Sequence, residues 1–336
     1  MINRRAFLQN VTGAAVAVAS SSIRCDETPP ASRIVDTHTH FYDPLRKEGV
    51  PWPSKGTPLY RQVLPKDWLA VASPHGVKET VVVEASDWFQ DNAWVLNLAA
   101  KEPSIIGFVG HLLPHQVRNF KTLTNNVDNS IANSLDFAAQ LKRFAANPIF
   151  RGIRVNSPDF LKNVDEADFQ SGVKLMADLG LALDLNGSAE AHLVAAKLAA
   201  DMPALRIVIN HVGSAGDAAQ LTAEWRAGIA ALGKQKNVFC KVSAMMEQTK
   251  ASDKEFGKAP RDTAYYAPIL DHCWEVFGED RLAYGSNWPV SDKGGAYADQ
   301  FKIVNEYFTA KGREVCEKFF WKNSREAYRW VERAGK

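Results

Sequence analysis

Residues 33–40 read RIVDTHTH. Ile34 and Val35 are β-branched, which suits a strand, and the run closes on His38 and His40. Residues two apart on a strand point to the same side, so both imidazoles leave one face at the strand's end. Seven more runs of this kind follow: ETVVVEAS (79–86), IIGFVGHL (105–112), FRGIRVN (150–156), LALDLN (181–186), RIVINHV (206–212), NVFCKVSA (237–244) and RLAYGSN (281–287). Helical patterns lie between them. DNAWVLNLAAKEP (91–103) stops at a proline. DFQSGVKLMADLG (168–180) repeats Phe169, Val173, Met176 and Leu179 at helical spacing and ends on Gly180. SAEAHLVAAKLAADMP (188–203) opens on a serine cap, and YYAPILDHCWEVFG (265–278) and SREAYRWVERA (324–334) behave similarly. Eight strands alternating with helices predict an α/β fold, a closed (β/α)8 TIM barrel. An open doubly wound sheet is the alternative, weakened because no glycine-rich phosphate fingerprint follows the first strand.

The 336 residues, 46% of them hydrophobic, can build a sizeable core, and a net charge of +2 leaves no basic stripe for nucleic acid. No apolar stretch reaches the ~18–20 residues that span a bilayer. The N-terminus has its own character. NRRAFLQNVTGAAVAVASSS (3–22) sets Arg4 and Arg5 before a weakly apolar run, the order of a twin-arginine export signal. Residues 1–30 are therefore expected to be signal and linker, residues 31–336 a single barrel domain, and the mature protein periplasmic or secreted. Arg24 before Cys25 fits a lipid-attachment site poorly. Cys25, Cys240, Cys273 and Cys316 have no metal-type spacing and read as free thiols. Segment 41–68, rich in proline, glycine and aromatics, reads as a loop over the barrel mouth.

In such a barrel chemistry sits where strands end. The strand ends here carry His38, His40, Glu84, His111, Arg154, Asp184, Asn186, His211, Lys241, Ser243 and Asn287. His38 and His40 suit one divalent cation, or a hydrogen-bonded carbonyl if none binds. His211 suits a third ligand or an acid–base group. Glu84 is a candidate base, and His111 a candidate for substrate contact. Arg154 and Lys241 would hold a carboxylate substrate or a developing oxyanion, or else pair with Glu84 and Asp184. His75, His115, His192 and His272 read as surface or packing residues.

VDTHTHFYDP, VVVEAS, GFVGHL, RGIRVN, INHVG, NVFCKVSA and LAYGSNWPV resemble, in order and spacing, the amidohydrolase-related family of the amidohydrolase superfamily. The resemblance spans residues 33–333, and its nearest branch holds sugar lactonases and 2-pyrone-4,6-dicarboxylate lactonase. It implies hydrolysis of a small lactone or ester, with His38, His40 and His211 as the family's histidines and Arg154 and Lys241 at the substrate. Metal dependence varies in this branch, so zinc or another divalent metal and metal-independent catalysis both stay open. Asn287 departs from the family's Gly-Ser-Asp-Trp-Pro. It keeps the shape of the usual aspartate but accepts no proton, so the proton must pass through Glu84, His111 or His211, or a metal-bound water must need little help. A decarboxylase or hydratase of the same superfamily is one alternative, and a non-catalytic barrel that lost its base is another. Substrate and oligomeric state are not written in the sequence.

Overall fold

The computed structural model describes residues 30–113 and 137–333. The eight runs form one parallel sheet in sequential order: β1 (Val35–Thr39), β2 (Glu79–Val83), β3 (Ile105–Gly110), β4 (Phe150–Asn156), β5 (Ala182–Asn186), β6 (Arg206–Ile209), β7 (Val238–Val242) and β8 (Leu282–Tyr284). Strands buried on both faces read as continuous apolar runs, which is why all eight were legible. Around them lie α1 (Pro65–Ala72), α2 (Asp91–Lys101), α3 (Phe137–Ala145), α4 (Ala167–Asp178), α5 (Ala189–Asp201), α6 (Ala223–Gly233), α7 (Thr263–Phe277) and α8 (Tyr297–Thr309), with shorter turns between. The signal-like segment, Cys25 and His115 fall outside the described residues. Cys240, Cys273 and Cys316 are buried free thiols.

The barrel closes where β8 returns to β1. Asn287 N donates to His38 O at 2.7 Å, and His40 N donates to Trp288 O at 2.9 Å. Asp36 staples the same seam, accepting from Ser286 N at 2.8 Å and from the His38 backbone at 3.1 Å. Its second oxygen accepts from Trp68 Nε1 and Tyr297 OH, which belong to α1 and α8. A register irregularity between Asp36 and Thr39 accompanies this. Strict alternation would give Asp36 and His38 one environment. With the bulge, Asp36 meets the helical layer and His38 meets the other imidazoles inside the barrel.

Several strands end two or three residues short of the runs read from the sequence, and α1 begins at Pro65, inside the expected 41–68 loop; two further differences shape the barrel. The terminal helix covers only Asn323–Tyr328, because Arg329 turns left-handed at φ 49°. Tyr328 and Trp330 then pack with Val35, Val81, Ile106 and Val208 as a plug in the barrel interior, and Val331 N donates to Ile106 O. Burial of two large aromatics outweighs continuation of an exposed helix. The second difference is at β6, which ends at Ile209 rather than running through His211. His211, Val212, Gly213 and Ser214 all have positive φ, between 48° and 65°, making a left-handed turn that costs roughly 1–2 kcal/mol per non-glycine residue. Trp225 Nε1 holds it through Val212 O at 2.9 Å, and His192 packs against it.

Gly213 is the tightest point. A Cβ there would lie 2.5 Å from Ile229 Cδ1 and 2.8 Å from His192 Cε1, whereas at Gly216, also left-handed, nothing lies within 4 Å. Gly213→Ala should therefore destabilise the protein by more than about 2 kcal/mol, and Gly216→Ala by about 1 kcal/mol. Urea unfolding of both variants checks this, and equal costs would refute the packing argument.

Candidate functional site

The site grows from the β1 end. The His38 and His40 ring centroids are 5.0 Å apart, and the His38 and His211 centroids 4.4 Å. Three imidazoles from β1 and the turn after β6 thus meet, as their strand-end positions predicted. His211 Nδ1 lies 3.0 Å from Ser243 Oγ. His40 Nδ1 lies 3.0 and 3.1 Å from the carbonyl oxygens of Val83 and Glu84, and its Nε2 lies 3.0 Å from Asn287 Oδ1.

Fixed charges surround the rings. Lys241 and Asp184 are both fully buried and paired at 2.7 Å, and Tyr328 OH donates to both Asp184 oxygens. Burial lowers the lysine pKa, against the pull of Asp184. Lys241 Nζ also reaches His38 Nδ1 at 3.4 Å. Lys241 therefore lies beneath His38, backed by the aspartate, instead of lining the open mouth. A lysine ammonium donating to Nδ1 would place the ring's proton on Nε2, an atom that is buried and has no partner among the described residues. On the other side Arg154 Nε donates to Glu84 Oε1 at 2.7 Å. Burial alone would raise the Glu84 pKa, but the Arg154 charge and the His111 ring outweigh it and hold it at about 2. Glu84 is thus a permanent anion and a weak base, and its role is to fix Arg154. His111 Nδ1 lies 3.8 Å from Glu84, and among the described residues neither of its ring nitrogens has a hydrogen-bond partner.

The imidazoles are kept neutral. Burial, then the charges of Lys241, His211 and His40, pushes His38 well below its ordinary value. Burial and Arg154 lower His40 to about 4, and burial with Arg154 and Lys241 does the same for His211. The loop 41–64 covers this group. Arg46 clamps it to α2 through both Asp91 oxygens, and the Trp52 ring stands 6.2 Å from that of His40. The other histidines pack: His75 stacks on Tyr297, His272 tilts against Trp225, and His192 is buried in α5.

One acid was not singled out from the sequence. Glu247, in the loop after β7, accepts from Asn287 Nδ2 at 2.7 Å. Its other oxygen is buried and has no partner among the described residues, and burial raises its pKa to about 7. Nothing in its local pattern marked it. Gly294 makes the approach possible, since a Cβ there would stand 2.6 Å from Glu247 N.

The metal expectation is not matched by these donors. Among the described residues no group of three His, Cys, Asp or Glu side chains is set to hold an ion.

A parallel eight-stranded barrel with imidazoles and paired charges at its strand ends has the architecture of a barrel enzyme. The model of the family described as amidohydrolase matches residues 35–330, and the chain belongs to that family. An L-fucono-1,5-lactonase from Burkholderia ambifaria is 28% identical over 268 residues, 79% of this chain and 83% of that one. An amidohydrolase from Burkholderia multivorans, crystallised with bound zinc, shares the fold at TM-score 0.71 and 21% identity, covering 89% of this chain and 100% of that one. A 5-carboxyvanillate decarboxylase from Sphingomonas paucimobilis does so at TM-score 0.59 and 13% identity, over 89% and 99% of the chains.

Neutral buried imidazoles make stability pH-dependent. An unfolded chain protonates histidine near 6.5, whereas folded His38, His40 and His211 refuse the proton. Their contribution is present above pH 6.5 and lost as pH falls, down to about 4 for His40. Glu247 works oppositely: its raised pKa adds stability that is complete below the unfolded value of 4.5 and lost as pH rises through about 7. Three histidines against one glutamate predict that the urea midpoint drops from about pH 7 to about pH 5. A midpoint unchanged over that interval would contradict the neutral imidazoles.

Proposed function

We propose that the protein hydrolyses a small lactone or related ester by histidine-assisted attack of water. The observation that carries this is the buried Nε2 of His38, left without a partner among the described residues and made a donor by a Lys241 ammonium at Nδ1. Such a donor suits the oxygen of a polarising carbonyl and the oxyanion that follows. Arg154, anchored on Glu84, adds positive charge beside it and suits a substrate carboxylate or hydroxyl. His211, neutral at working pH and fixed through Ser243, takes the proton as water adds to the carbonyl carbon. It returns that proton to the alkoxide when the ring C–O bond breaks, leaving a hydroxy acid. Trp52 and the rest of the 41–64 loop restrict water around the reacting carbonyl.

The lactonase relative supports the substrate class. The zinc recorded with the Burkholderia multivorans structure favours a second reading, in which a divalent ion supplies the electrophile. Export by the twin-arginine route belongs to the same proposal and rests on residues 4–22.

Purified protein assayed on a panel of sugar lactones and carboxylated lactones should open at least one, with turnover retained after chelation. His211→Ala should lower kcat by about 10²–10⁴-fold, and His38→Ala by about 10²-fold or more. Turnover that vanishes on chelation and returns with zinc supports the second reading. Carbon dioxide release from an aromatic acid, with no lactone opened, would replace hydrolysis by decarboxylation. Silence on both panels favours a non-catalytic barrel.

A further inference from the structure

Asn210 is completely buried, yet among the described residues neither its Oδ1 nor its Nδ2 has a hydrogen-bond partner. An amide taken out of water and left unpaired loses its hydration for nothing, so its presence needs a reason. Its place in the chain offers it a partner that it does not use. It stands at the cap position of the left-handed turn that carries His211, with extended backbone at φ −79° and ψ 151°, and its side chain makes no capping bond. An asparagine there ordinarily accepts from the amides of the turn it opens. This one points elsewhere.

The strand register gives the direction. β5 and β6 pair Asp184 with Val208 and Leu185 with Ile209, and Asn210 N donates to Leu185 O at 2.9 Å. Val208 packs in the interior cluster, whereas Ile207 and Ile209 pack in the layer under the helices. Alternation then turns Asn210 inward, one level above Val208. Asn186 ends β5 on the same level, and β4 sets Asn156 opposite Asn186. Asn186 Nδ2 donates to Asn156 Oδ1 at 3.3 Å. Ser157 ties these two strand ends together, donating to Asn186 O and accepting from Ser188 N. Three amides from three adjacent strands therefore make one row along the inner wall.

The chemistry of the row selects its ligand. The cations beside it are already engaged, Arg154 by Glu84 and Lys241 by Asp184, each at 2.7 Å. Each amide is uncharged and offers both an acceptor and a donor. A carboxylate only accepts, so it would leave Oδ1 of Asn210 unpaired and facing an anion. A hydroxyl both gives and accepts, and two neighbouring hydroxyls satisfy Oδ1 and Nδ2 of one amide together.

We propose that Asn156, Asn186 and Asn210 form a hydroxyl-reading subsite in which Asn210 is the specificity-determining residue, pairing its Oδ1 and Nδ2 with two neighbouring hydroxyl groups of an uncharged ligand ring. A ring without those hydroxyls leaves the buried amide unpaired and is rejected for that reason. The place of this subsite in turnover rests on the hydrolase reading, but its ability to bind does not.

The test uses the full-length protein and begins with ligands that cannot be turned over. A panel of cyclic anhydrohexitols supplies ring polyols that differ in hydroxyl orientation and carry no carbonyl. Cyclohexanecarboxylate supplies a ring with a carboxylate and no hydroxyl. In amide-detected NMR the Asn210 side-chain NH2 is identified by its loss in Asn210→Leu. At least one polyol should shift it saturably, and Asn210→Leu should weaken the Kd of that polyol about tenfold or more. Asn210→Ser keeps one hydroxyl and should fall between, so the result does not hang on the leucine variant alone. No shift with any polyol, an equal shift with the carboxylate, or a Kd unchanged in both variants overturns the proposal.

Turnover gives a second arm. Where a lactone is opened, Asn210→Leu should lower kcat/KM about tenfold or more on ring-hydroxylated lactones and by no more than about twofold on δ-valerolactone, which has no hydroxyl. Equal losses on both would make Asn210 a support for its neighbour His211 and overturn the subsite. If no lactone is opened, the hydrolase reading fails, while the polyol titration still decides the role of the amide row.

Discussion

The structure depends on the seam between β8 and β1. Eight parallel strands leave two open edges unless the last returns to the first, and an unpaired edge buried under helices would strand its amides and carbonyls. Here the closing bonds come from His38 O, His40 N, Asn287 N and Trp288 O. The backbone that shuts the barrel therefore belongs to the residues whose side chains make the site. Asp36 reinforces it from behind, joining two strands and two helices. Geometry at the histidines inherits the rigidity of the seam.

Within that frame the barrel holds unlike charges in fixed pairs. Asp184 keeps Lys241 in place below His38, and Glu84 keeps Arg154 beside His40. Buried pairs of this kind cost desolvation that their mutual attraction only partly offsets, so they suit a working surface better than a stabilising one. Their combined positive field, with burial, holds three imidazoles neutral together. The left-handed turn at His211 belongs to the same account: strain is kept where a side chain must be aimed. Burial of Tyr328 and Trp330 and the packing around Gly213 compensate elsewhere.

Much of this was legible in the residues alone. Most of the eight strands show as short apolar runs because both of their faces are covered. The histidines, Arg154, Glu84, Lys241 and Asn287 stand at strand ends because that is where a barrel exposes side chains. The two misread boundaries share a cause. An amphipathic tail and a histidine after a strand look regular locally, while the tertiary demand to plug the interior and to swing His211 inward overrides local preference.

By itself the sequence determined the barrel and the identity of the groups that converge, since these follow from periodicity and strand-end position, which are local, while its ordered motifs carried the resemblance to the family. Tertiary structure alone decided who faces whom. Lys241 under His38, Glu84 spent on Arg154, and Glu247 at the back of Asn287 are contacts between distant segments, set by barrel closure and by the approach that Gly294 allows. The asparagine in place of an acid acquires its hydrogen-bond partner at that level. The carboxyl group that meets it comes from the neighbouring strand's loop, where no spacing rule looks for it.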